Sequence, residues 1–323
     1  MGSKLALALA AGFFLTTAAG ALADEPTLAE QVVAALNKVW GEHPGVRANH
    51  AKGVVLEGVY TPSPAGKTLS KAALFTAASV PVTVRFSDSS GAPNIPDGSA
   101  PANPHGMAVK FHLASGDDVD IVANSLPFFP VATGEEFRDL LLAIAGSRAG
   151  SAKPSPVEKF FAAHPAAVAA FGALHTPSSF AREVYNGVDS FVFVDAKGAR
   201  TTFRFRIYPE GGPDYLSPAD AAKLAPNGLV DEIGKRVATH EVKFTLQAQL
   251  AGPGDAVDDA TKPYAADRKF VDLGTIAVQK KAAEDKSLLF LPLNLVEGVE
   301  PSKDPLIQLR NDAYAISYGK RLQ

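Results

Sequence analysis

Arg47-Ala48-Asn49-His50-Ala51-Lys52-Gly53 is the stretch from which the fold can be worked outward. It sets one imidazole among small and basic residues and leads straight into Val54-Val55-Leu56, the start of a strand expected over residues 53–61. Runs of the same kind follow at 82–87, 107–113 and 119–124, each rich in Val and Phe and bounded by Gly, Pro, Asp or Ser. Between the second and third lies a Pro/Gly/Asn-rich loop, 89–106, of a length that is uncommon unless the loop has a task. Upstream, Thr27 should cap a helix running to Trp40, with Glu30 at its third position and Leu28, Val32, Val33, Leu36 and Val39 as its apolar stripe. Downstream, helices are expected over 134–144 and, as one element, over 157–171. Strands are expected at 190–195, 201–208 and 242–250, with short helices near 218–224 and 229–237. A last helix should begin at Pro305, with Leu306, Leu309, Ala313 and Ile316 as its apolar face. No internal repeat and no linker interrupts this order, so the plain reading is one α+β domain around an antiparallel sheet.

Composition narrows the chemistry. A net charge of −3 over 323 residues gives no basic footprint, which excludes nucleic acid as the expected partner. The absence of cysteine excludes thiol nucleophiles, iron–sulfur clusters, thiolate-ligated haem and covalently attached haem. Lys4, the apolar run 5–19 and Ala21-Leu22-Ala23 have the n-region, h-region and A-x-A site of a secretory signal peptide. Cleavage is expected after Ala23, leaving a single domain over 24–323 in the periplasm or the medium. The apolar run is short for a membrane span and no other stretch is long enough to be one.

Four sets of residues could carry chemistry. Of the seven histidines, His50 stands out by its surroundings. His43, His105, His112, His164, His175 and His240 lack such a setting, and no two histidines have the helical spacing of a zinc pair. Arg85 sits inside Val82-Thr83-Val84-Arg85-Phe86-Ser87 and either points to solvent or meets a buried anion; the alternation alone favours solvent. In Asp120-Ile121-Val122-Ala123-Asn124-Ser125-Leu126-Pro127-Phe128-Phe129 a strand delivers an Asn, which could be an amide donor or simply the cap of a turn. Arg310 and Tyr314 are one helical turn apart and share a face, either as an Arg stacked on a surface ring or as an activated phenol.

Taken together and in this order, these segments resemble the haem catalases, and most closely the short catalase-related peroxidases. The resemblance runs from about residue 44 to the end. Arg47-x-x-His50-Ala51-Lys52-Gly53 is similar to the segment with the distal His, and Val84-Arg85-Phe86-Ser87 to the strand that follows it. Gly106-Met107-Ala108-Val109-Lys110-Phe111 resembles the family's "GFAVKF" strand, 120–129 the segment with the distal Asn, and 294–314 the approach to the proximal Tyr. The resemblance implies an antiparallel β-barrel catalase core with surrounding helices, lacking the C-terminal helical and flavodoxin-like domains. It implies haem b, with Tyr314 as the phenolate iron ligand and Arg310 holding it as phenolate. His50 would be the distal acid/base, Ser87 would bond the far side of its ring, and Asn124 would orient peroxide. Arg47, Arg85 and Arg321 would pair with the haem propionates, and Phe129 and Phe137 would pack the haem face and its approach.

The sequence also departs from the family. Asn49 stands where catalases usually have Val, and His105 where they usually have Arg. Both point to peroxidase turnover with a small organic reductant over rapid dismutation, with weak catalase activity allowed. The residues usual beyond the core are missing and the N-terminal arm is short, so the family's tight tetramer and NADPH site are not expected. Apolar surface left bare would favour a homodimer. Two other readings stay open: a non-catalytic haem carrier, and a fatty-acid hydroperoxide-converting enzyme of the allene oxide synthase type.

Overall fold

The computed structural model describes residues 25–284 and 286–323. The expected signal peptide lies outside the described residues. The strands are β1 (Gly53–Pro62), β2 (Val80–Ser87), β3 (Gly106–His112), β4 (Asp118–Asn124), β5 (Tyr185–Asn186), β6 (Phe191–Val194), β7 (Arg200–Pro209), β8 (Val242–Leu250), β9 (Phe270–Lys281) and β10 (Val299–Pro301). The helices are α1 (Leu28–Trp40), α2 (Pro64–Leu69), α3 (Ala73–Thr76), α4 (Gly134–Gly146), α5 (Pro156–Ala163), α6 (Pro165–Gly172), α7 (Pro218–Ala221), α8 (Gly228–Val237) and α9 (Pro305–Arg321).

The strands join in the order β10-β6-β7-β5-β4-β3-β2-β1-β9-β8, and β8 also pairs with β7. That last pairing closes β7, β5, β4, β3, β2, β1, β9 and β8 into an eight-strand antiparallel barrel, with β6 and β10 continuing outward from β7. Closure removes the open edges that would otherwise invite pairing with another chain.

Alternation along the strands fills the barrel. On β2, Val80, Val82, Val84 and Phe86 point inward and are buried. They meet Leu56, Val109, Phe111, Phe203 and Phe244 in one continuous core. The opposite face of β2 reads Pro81, Thr83, Arg85, Ser87 and passes from exposed at Pro81 to buried at its last two residues. Because side chains alternate with period two, the strand that packs the core with Phe86 must turn Arg85 and Ser87 outward. Something therefore covers the barrel at that end.

The cover is made by α1, α4 and α9. As the sequence implies, Thr27 Oγ1 accepts from Glu30 N and Glu30 Oε2 accepts from Thr27 N at 2.7 Å, the reciprocal box that starts α1. Val32 and Leu36 of α1 pack with Leu141 of α4, and Ala29 and Val33 pack with Ala313 of α9.

Two expectations change. The single helix over 157–171 is two, α5 and α6, because Pro165 has no N–H to donate and disfavours helical backbone at His164. Strand β9 was not anticipated: Asp272-Leu273-Gly274 interrupts its alternation at the point where its ladder with β8 slips register. The 89–106 loop is put to structural use, since Asp97 Oδ2 accepts from Leu229 N at 2.8 Å and Val230 N at 3.1 Å and so caps α8, whose own Asn227 makes no side-chain cap.

Candidate active site

One row of residues crosses four strands: Gly53 pairs with Ser87, Ser87 with Gly106, and Gly106 with Asn124. The row opens onto a cavity of about 420 Å³ under α1, α4 and α9. His50, three residues before the row begins, sits at its lip with Nδ1 3.0 Å from Ser87 Oγ. Its backbone is left-handed, φ 55°, the single such case among described non-glycine residues. Such a conformation is uncommon without a Gly and persists where surrounding contacts enforce it. Burial, and then the charges of Arg85, Arg310 and Arg47, push the imidazole down to about 3, so it is a neutral base near pH 7.

Gly106 makes room for that ring. A Cβ there would lie 2.9 Å from Ser87 Oγ and 3.0 Å from His50 Nδ1. Asn124 Oδ1 accepts from Leu126 N at 2.9 Å. The turn thus takes the amide's oxygen, which is the cap role, and Asn124 also lines the cavity with its NH₂ as the remaining donor.

Tyr314 and Arg310 reach the cavity from α9. Arg310 is 9% exposed; it ion-pairs with the buried carboxylate of Asp189, and its Nη2 lies 3.4 Å from Tyr314 Oη. Burial opposes the charge on Arg310, but Asp189 and Tyr314 outweigh it and hold the guanidinium above its ordinary value. This is a buried donor to a phenol oxygen, not an Arg lying on a surface ring.

Arg85 is 3% exposed, so it does not point to solvent; it meets an anion, Glu284, whose own side chain lies at the surface. Its Nε donates to Glu284 Oε1 at 3.0 Å, and the same oxygen accepts from Arg47 Nη1 at 2.7 Å. Arg47 Nη2 and Arg321 Nη2 both donate to Leu288 O. Burial opposes ionisation of Glu284, yet Arg85 and Arg47 hold its carboxyl below the usual range. Phe129 and Phe137, with ring centroids 5.3 Å apart, complete the set, and every residue singled out from the sequence for a role lines this one cavity.

His105 does not line it. It is wholly buried on the core side of the Ser87–Gly106 pair, edge-on to Phe180, with Asp88 3.6 Å and Glu183 3.9 Å from its ring nitrogens. Its setting is invisible along the chain because both carboxylates come from other segments.

The residues fit haem. Among the described residues no group of three or more His, Asp or Glu is placed to hold a bare metal ion. A metal bound through one phenol would have to arrive inside a macrocycle. Leu36, Leu141, Phe161 and Phe171 offer apolar walls to such a ring. Arg47 and Arg85 already grip a carboxylate, that of Glu284, which shows that this edge accepts the group a propionate carries. Sequence reasoning missed Gly53, Gly106, Asp189 and Glu284. The glycines had a weak signal, since Gly within a strand often marks close approach; the two acids had none.

A family model described as "Catalase" matches residues 26–323. The chain is 32% identical over 300 residues to a protein of Synechococcus elongatus named "Catalase-related peroxidase", covering 90% of this chain and 88% of that one. A protein of the same name from Mycolicibacterium paratuberculosis is 31% identical over 300 residues, covering 90% and 94%. The solved structure of a bacterial catalase superposes with a TM-score of 0.76 at 23% identity, over 95% of this chain and 63% of that one, which speaks to the fold.

Proposed function

The chain belongs to the catalase family, and from that premise we propose that it is a haem-dependent peroxidase that reduces hydrogen peroxide or an organic hydroperoxide at the expense of a small organic donor. The observation that carries this reading is the convergence on one cavity of a neutral, conformationally enforced His50, the Asn124 amide and an Arg310-backed Tyr314. A carrier would need the phenol and the guanidiniums but has no use for the first two.

In this reading Tyr314 Oη would hold the iron, Arg310 would keep that oxygen a phenolate, and Arg47, Arg85 and Arg321 would receive the propionates. Haem b is the form proposed, since the chain has no cysteine for covalent attachment. Bound haem would supply the electrons that cleave the O–O bond, and the donor would restore them. Ser87 occupies the Nδ1 side of His50 and so leaves Nε2 for the substrate. There His50 takes the proton from the inner peroxide oxygen and returns it to the outer one, which departs as water. The Asn124 NH₂ donates to peroxide and orients it. The apolar walls keep water away from the site. Export is part of the proposal and rests on Ala21-Leu22-Ala23; the secreted chain should begin at Asp24 by mass.

The test is the absorption spectrum of the haem-reconstituted protein before and after one equivalent of hydrogen peroxide. A phenolate-to-iron band in the resting state and a prompt spectral conversion are expected. Haem uptake without response to peroxide would leave a carrier, and no uptake would end the reading.

A further inference from the structure

We propose, resting on the peroxidase reading above, that Arg85 and Glu284 form a clamp that holds the left-handed backbone of His50, so that the distal imidazole is positioned from the carboxylate-binding edge of the cavity. His50 is a positive-φ residue with a β-carbon, and something must hold it there. The contacts that do so are on Arg85. Its Nη1 donates to His50 O at 3.0 Å and its Nη2 to Ala51 O at 3.3 Å. One rigid guanidinium fork thus grips two successive carbonyls, those of His50 and Ala51, on either side of the Ala51 Cα. On the other side Ala51 N donates to Ser90 O at 2.8 Å.

The fork lies flat beneath Gly53, where a Cβ would come within 2.7 Å of Arg85 Cζ and Nη2 and 2.4 Å of Phe86 O. That close approach is why the segment ends in glycine. The Nε of the guanidinium is taken by Glu284. Arg85, Arg47 and Arg321 all line this end of the cavity, and Glu284 is the carboxylate bonded to the first two. Without its charge Arg47 and Arg85 repel each other, and Arg85 loses the described partner that holds its Nε side and so turns its fork toward the carbonyls. Arg85 therefore serves the His50 backbone first and a ligand carboxylate second. His50, Arg85 and Glu284 come from three separate segments, so the position of the imidazole depends on a residue that follows β9.

The test uses Glu284→Gln, a near-isosteric neutral change at a position 41% exposed in its side chain. Hydrogen exchange of the peptide covering 47–53 is followed by mass spectrometry in the haem-free protein, and the rate of reaction with hydrogen peroxide in the haem-loaded one. Exchange at Ala51 should quicken about tenfold, since a bond network to a charged group is lost, while α1 and α8 keep their protection. The peroxide rate should fall by a similar factor at unchanged haem content. Arg85→Lys, which keeps the charge but cannot span two carbonyls, should quicken the same exchange in the haem-free protein, and Glu284→Asp should restore part of both effects of Glu284→Gln. Unaltered exchange in Glu284→Gln overturns the clamp even if Arg85→Lys does not fold. A parent protein inert to peroxide would defeat the functional reading and leave the exchange measurement to decide the clamp.

Discussion

Arg310 and Tyr314 sit four residues apart on α9, whereas Ser87, Gly106 and Asn124 reach the same cavity from three different strands, with His50 leaning in from the segment that leads into β1. The first pair is placed by helical geometry, and Asp189 is its long-range partner. The second group is placed by register: each member is opposite the next across a ladder, and a slip of one residue would turn Ser87 into the core and Phe86 into the cavity. Local geometry tolerates change nearby. A row tolerates almost none, because every position is a neighbour of two others.

The sharpest test of this contrast separates the walls by their readouts. His50→Ala should lower the rate of reaction with peroxide by about 10²–10⁴-fold, the usual worth of a positioned acid/base, and leave the resting haem spectrum as it was. Tyr314→Phe should remove the phenolate-to-iron band. Stopped-flow and absorption spectra of both variants would break the division if His50→Ala altered the resting band or Tyr314→Phe spared it. Next in size, Asp189→Asn leaves the buried Arg310 without its counter-charge and should destabilise the fold by about 3–5 kcal/mol in urea titrations. A loss under 1 kcal/mol would mean that α9 does not need its long-range partner. Then Gly106→Ala, which crowds both His50 and Ser87, should slow the peroxide reaction by up to about 100-fold at unchanged haem content. A normal rate there would show the row to be looser than its distances imply.

The smallest effect is in pH. With His50 held near 3, its basic form is present throughout pH 5–8, and the peroxide rate should stay flat there and fall only in stronger acid. Stability behaves differently. The folded imidazole lies below its ordinary value of 6.5, so its share of stability is complete above that pH and is lost as pH falls toward 3. Glu183, pushed up by burial to about 7 from 4.5, works in the opposite sense: its share is complete below 4.5 and is lost as pH rises through 7. The informative quantity is therefore the difference between the parent and His50→Gln, which should shrink as pH drops from 6.5. A difference that grows would reverse the sign assigned to His50.

Much of this was legible in the chain. Strands β1 to β4 and helices α1, α4 and α9 fall close to the segments that periodicity marks, because each has an uninterrupted apolar face and most have a cap or turn residue at the end. β9 was hidden by Asp272 and Gly274, and the break between α5 and α6 was hidden by the apolar run around Pro165. In the site, Arg310 and Tyr314 are visible as a pair from spacing alone. His50 and Asn124 are visible singly from their local settings, but their grouping with Ser87 is visible only through resemblance, since nothing in their spacing states that they are neighbours. Arg85 is the instructive case: strand alternation correctly turns it out of the barrel, and alternation cannot say whether the outside there is water or α1, α4 and α9.

By itself, then, the sequence determined which faces are apolar, where helices and strands begin, that the chain has no thiol chemistry, and that a phenol and a guanidinium share one helical turn. Those are properties of neighbours along the chain. Only the tertiary structure decided that Glu284 stands between Arg47 and Arg85, that Asp189 backs Arg310, that His105 is sealed between Asp88 and Glu183, and that a guanidinium fork from β2 reaches the carbonyls of left-handed His50 and of Ala51. The physical reason is that charge pairing and steric exclusion act over a few ångströms of space. Barrel closure and helix packing bring within that distance residues that the chain itself keeps far apart.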